Sequence, residues 1–153
     1  MSALQSLLVA VDLATRQRDA ARQALLDAQA AQAAAQAQLE QLQGYAQETS
    51  QRWGARPDAS MQPEVLFHHV HFMGRLEHAA GLQCNVVADH EARVAHARAQ
   101  LVQAELRLAS LQKVADSRRR AHALQQMRRE QKQTDERAAL QYRKAINDSL
   151  VEE

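Results

Sequence analysis

Residues 4–46 read LQSLLVAVDLATRQRDAARQALLDAQAAQAAAQAQLEQLQGYA. Steps of three and four from Leu4 land on Leu4, Leu7, Val11, Ala14, Arg18, Ala21, Leu25, Ala28, Gln32, Ala35, Leu39, Leu42 and Ala46, and all but Arg18 and Gln32 are apolar. The residues between them are mostly Gln, Ala, Asp and Arg. A 3,4 apolar stripe held over this length is the mark of an α-helix carrying a coiled-coil seam. A second stripe runs through Leu66, His69, Met73, Leu76, Ala80, Gln83, Val87, His90, Val94, Ala97, Leu101, Ala104, Leu108, Leu111 and Ala115, with only His69, Gln83 and His90 polar. A turn-rich stretch separates the two. The pattern predicts an all-α fold, an antiparallel two-helix coiled-coil hairpin whose seams close on each other.

Composition agrees. Aromatic residues are 3% of the chain, with four Gly and two Pro, which suits long helices that bury a narrow seam rather than a thick core. The 153 residues fit a single coiled-coil domain, 1–153. Ser2 can cap helix one, expected at about residues 3–51, and Gly44 costs it about 1 kcal/mol relative to Ala. Pro57 and Pro63 place the connecting loop at about 52–62. Helix two is expected at about 63–147, with Ser60 as its cap and Pro63 in its first turn. Setting Ala46 against His69 brings Leu4 against Leu111 and Gln32 against Gln83. The second seam loses its apolar character just after Ala115, where helix one runs out. The longer second helix should therefore overhang, unpaired, at its C-terminal end, where a lone helix is marginal in water.

Net charge is +1, so no global field points to a polyanionic partner. Residues 1–112 carry nine basic and eleven acidic side chains, whereas residues 113–144 carry ten basic and four acidic ones. The basic character is confined to the expected overhang. Two readings fit it, a solvated charged face with pairs such as Lys132–Glu136 and a surface for a protein partner. Nucleic acid fits less well, because Asp116, Glu130, Asp135 and Glu136 interrupt the basic run and no aromatics interleave with it.

Cys84 is the only cysteine, which excludes an internal disulfide and suits a reducing compartment. There is no basic-then-apolar leader, and no apolar stretch of about 20 residues to span a bilayer. A soluble cytoplasmic protein is expected. Nucleotide-binding, zinc-protease and nucleophile-elbow motifs are absent, so no catalysis and no cofactor are expected. Glu64, His68 and His71 fall at i, i+4 and i+7 on one helix face, but this spacing matches no zinc pattern and no metal is expected.

Three stretches carry a resemblance. They are Gln38-Leu39-Glu40-Gln41-Leu42-Gln43-Gly44-Tyr45-Ala46-Gln47-Glu48, Phe72-Met73-Gly74-Arg75-Leu76-Glu77-His78-Ala79, and Glu130-Gln131-Lys132-Gln133-Thr134-Asp135-Glu136. In order and spacing they resemble the flagellar export protein FliJ family of the bacterial type III export apparatus. The resemblance implies a non-catalytic coiled-coil stalk, similar to the central stalk of rotary ATP synthases. Such a stalk promotes assembly of the export ATPase ring, contacts the membrane export gate and escorts export chaperones. It implies a place at the cytoplasmic face of the inner membrane, with peripheral membrane association through the apparatus, and a part in motility and chemotaxis. Carried over by position, Gln38, Leu42, Tyr45 and Thr49 on helix one and Phe72, Leu76, Ala79 and Gln83 on helix two match the family's gate-binding patch. The family often has an aromatic residue at the position of Thr49 and a His at that of Gln83. Leu42 and Leu76 also read as plain seam residues. Arg118, Arg119, Arg120, Arg128, Arg129 and Lys132 would meet the ATPase ring. The equivalent stalk of virulence-type injection systems is an alternative reading, and a generic coiled-coil scaffold or nucleic-acid-binding protein another.

Overall fold

The computed structural model describes residues 2–54 and 62–152. Its elements are two helices, α1 (Ala3–Gly54) and α2 (Pro63–Val151), with no strand among the described residues. The fold is all-α, as the two stripes predict. Helix α1 runs to Gly54 rather than Gln51, so Arg52 and Trp53, expected in the connection, are helical. Helix α2 continues to Val151 rather than to about residue 147. Ser60 lies outside the described residues.

Each helix begins for a chemical reason. The Ser2 hydroxyl accepts the backbone N–H of Gln5 at 3.2 Å, and the Gln5 side-chain oxygen accepts the N–H of Ser2 at 3.1 Å. This reciprocal box satisfies two donors that a helix start leaves without partners. Pro63 opens α2, where its missing N–H is not needed, and the Gln62 carbonyl accepts the N–H groups of Val65 and Leu66 at 3.1 and 3.2 Å.

The chain divides into two compact units, Arg16–Glu105 and Met1–Thr15 with Leu106–Glu153. In the first, Ala35, Leu39 and Val87 form a buried cluster with Ala80 packed on it. Every α1 seam position from Arg18 to Ala46 is buried or half-buried, and the row continues through Thr49 and Trp53. The α2 seam is covered from His69 to Ala104. Arg18 stays in the seam by turning its Nε onto the Asp19 carboxylate, 2.9 Å away. Leu66, expected in the second seam, is instead 49% exposed. Trp53 is occupied by His69, so the last described seam position of α1 is taken one step before Leu66.

The register differs from the expected one by a heptad. The Trp53 and His69 rings stack, with centroids 4.0 Å apart and planes at 20°. Gln83 Nε2 donates to the Ala35 carbonyl at 2.9 Å and to Gln38 Oε1 at 3.2 Å, so it does not pair with Gln32. A heptad pattern slid by seven residues still sets apolar on apolar, so periodicity alone leaves registers of this kind degenerate. Side-chain volume breaks the tie. The observed register brings Ala21 level with Leu101, Ala28 with Val94, Ala35 with Val87, Leu42 with Ala80 and Ala46 with Leu76. In these five layers a large residue meets Ala, while Leu39 falls level with Gln83 and Trp53 with His69. The expected register sets Leu39 on Leu76, Leu42 on Met73 and Ala35 on Ala80, which mixes overpacking with voids.

In the second unit, Ala14, Leu108 and Ala115 are buried. Leu8 and Val11 share a notch with Gln112, Ala115, Asp116 and Arg119. Ser2, Ala3 and Leu4 share another with Arg118, Ala121, His122 and Gln125. Leu4 therefore stands beside Arg118 and not Leu111, and α1 reaches α2 as far as Gln125 rather than stopping at Ala115. All side chains from Asp116 to Glu152 are nonetheless exposed.

Candidate functional site

The unit Arg16–Glu105 assembles one candidate surface from both helices. Tyr45 and Phe72 meet edge to face, with ring centroids 6.1 Å apart at 89°. Tyr45 remains 52% exposed and Phe72 39% exposed, so the pair is joined at one edge and open to a partner at the other. Gln38 and Gln83 are joined through the 3.2 Å amide contact, which ties the second pair across the same two helices. Leu42, Leu76, Ala79, Thr49 and Gln83 are half-buried, while Gln38 is exposed. The two predicted rows thus form one surface, with Tyr45 and Phe72 as its accessible aromatics. Gln83 spends its amide on Ala35 and Gln38, which makes it a support for the surface more than a contact.

Sequence reasoning placed Trp53 and His69 outside this set. Their stack continues the aromatic edge by one turn of helix, and His69 is half-buried there. The missed signal was Trp53 itself, the chain's only Trp, one seam step beyond Thr49. Phe67 is 67% exposed and carries the ring of His71 stacked at 5° and that of His68 at 69°. Among the described residues no group of three or more His, Cys, Asp or Glu side chains is placed to hold a metal ion. Cys84 is exposed and unpaired.

The other candidate surface lies on α2 in the unit that holds both termini. Arg118, Arg119, Arg120, Arg128, Arg129 and Lys132 are all exposed. Lys132 and Glu136 do not form the expected i,i+4 pair, which fits the small gain such pairs give in open solvent. Ion pairs on α1 join Arg52 to Glu48 at 2.8 Å and Arg18 to Asp19. Arg118 and Arg119 each border α1, whereas Arg128, Arg129 and Lys132 stand on bare helix.

The family model described as "Flagellar FliJ protein" matches residues 1–147. The chain belongs to the flagellar FliJ protein family. Membership makes it a component of the flagellar type III export apparatus. Neither the curated proteins nor the solved structures include a match to this FliJ-family chain. No helix among the described residues is long and apolar enough to cross a membrane.

Proposed function

We propose that this FliJ-family chain is a non-catalytic stalk that joins two protein partners, binding the export gate through the Tyr45–Phe72 surface and the export ATPase ring through the basic part of α2. The observation that carries the reading is the uncovered helix, in which every side chain from Asp116 to Glu152 is exposed although the helix continues to Val151. A helix with so little tertiary burial is ordered mainly by docking on something else. Its cations, Arg128, Arg129 and Lys132 among them, suit an acidic protein surface and give a salt-dependent encounter. Tyr45 and Phe72 are aromatic anchors of the kind enriched at binding hot spots. Escort of export chaperones and a place at the cytoplasmic face of the inner membrane complete the proposal. The flagellar family match favours this reading over an injection-system stalk.

The test uses two cuts. A chain ending at Gln125 keeps the contacts of Ser2, Ala3 and Leu4, and should lose stimulation of the export ATPase while still being captured by the gate's cytoplasmic domain. Tyr45→Ala and Phe72→Ala should show the reverse, each weakening gate capture about tenfold or more, the usual weight of a hot-spot residue. Full ATPase stimulation by the truncated chain would sink the assignment of the basic helix.

A further inference from the structure

We propose that α1 slides along α2 by one heptad, between the observed register and a second, less populated one. Three observations carry this. First, the α1 seam positions from Leu4 to Ala46 are all buried or half-buried and repeat with heptad spacing, so a slide of seven residues returns apolar groups to apolar groups. Second, Leu66 has the phase of a seam residue yet is 49% exposed. The slide brings Thr49 level with it. Third, Leu4 shares its notch with Arg118, Ala121, His122 and Gln125, three of the four polar. The slide brings Leu4 to Leu111 and Leu7 to Leu108.

The observed register holds its own advantages. They are the Trp53–His69 stack, the two hydrogen bonds donated by Gln83 and the packing of Ala35 with Val87 and Leu39. In the slid register Gln83 faces Gln32, so its amide still finds a partner. Each register therefore leaves something unsatisfied that the other repairs. Two packings of one sequence balanced in this way make a two-state element. The displacement is about 10 Å. Eight residues, 55–62, connect the helices with a contour of about 27 Å, enough for either position.

The slide changes both candidate surfaces. Within Arg16–Glu105 it parts Trp53 from His69 and moves Tyr45 by about two helical turns along α2 relative to Phe72. Within the unit holding the termini it uncovers Arg118, Ala121, His122 and Gln125. Because α1 is unbroken from Ala3 to Gly54, the two changes come together. Their meaning for partner binding rests on the proposed function above, but the slide itself does not.

Disulfide trapping tests the slide directly, in the full chain with Cys84→Ser and without any partner. Ala35→Cys with Val87→Cys reports the observed register, Ala28→Cys with Val87→Cys the slid one, and Ala21→Cys with Val87→Cys a two-heptad displacement that only general opening should reach. Under mild oxidation the first pair should close fastest. The second should close completely but more slowly, and at least tenfold faster than the third. Equal rates for the second and third pairs, or no closure of the second, would overturn the proposal. Leu42→Cys with Met73→Cys reports the slid register independently of Val87, and its failure to close in a chain of unchanged helicity would count equally against it.

Discussion

At the scale of single residues, a few side chains set what the seam alone leaves open. Trp53 sits at the end of α1 and stacks on His69 at 4.0 Å. Trp53→Ala removes that stack and the area it covers, and should cost about 2 kcal/mol in urea unfolding. If register selection depends on Trp53, the same variant should speed closure of the Ala28→Cys and Val87→Cys pair. Tyr45 and Phe72 touch only at an edge. A double-mutant cycle on folding stability should give a coupling of about 0.5–1 kcal/mol between them, and additive losses would show that the contact does not hold in solution. Leu39 is 7% exposed and packs with Ala35 and Val87. Leu39→Ala should lower stability by about 2–4 kcal/mol, because a seam flanked by Ala has little bulk with which to refill the space.

At the scale of elements, each helix is marginal by some residues and well made by others. The Ser2–Gln5 box gives α1 a defined start, and Pro63 does the same for α2. Gly44, Gly74 and Gly81 weaken the helices they interrupt. A Cβ added at any of the three meets nothing within 4 Å, so packing does not require Gly there. Gly81→Ala should therefore raise folding stability by about 1 kcal/mol, read as a higher urea midpoint at unchanged slope. A loss of stability would point to a close neighbour that the isolated chain lacks.

For the whole molecule, burial is thin. Among the described residues the buried ones are Ala14, Ala35, Leu39, Val87, Val94, Leu108 and Ala115, all small or aliphatic. Such a fold is held by seam contacts within each unit, so the loss of one large seam side chain is a substantial fraction of its stability. The stretch after Gln125 buries almost nothing, so a chain ending at Gln125 should keep the melting midpoint of the full chain within a few degrees. A large drop would mean that the basic helix stabilises the chain without a partner. Mixing it with the ATPase should give binding that weakens as salt screens the exposed cations.

What the amino-acid sequence determined by itself was most of the two seams (Leu4–Ala46 and His69–Ala115, but not Leu66), the all-α class, the helix starts and the basic, uncovered stretch of α2. These follow from period, composition and capping chemistry, which are local properties. It also marked Tyr45 and Phe72 as candidates. Only the tertiary structure decided which residues face which. A heptad pattern is unchanged by a seven-residue shift, so Leu4 could meet Leu111 or Arg118 with the same periodicity. The choice fell to volume and to single contacts, with Ala set against Leu or Val, Trp53 on His69, and Gln83 on Ala35 and Gln38. In the folded chain Tyr45 meets Phe72 and Gln38 meets Gln83, which makes one surface from two separate rows.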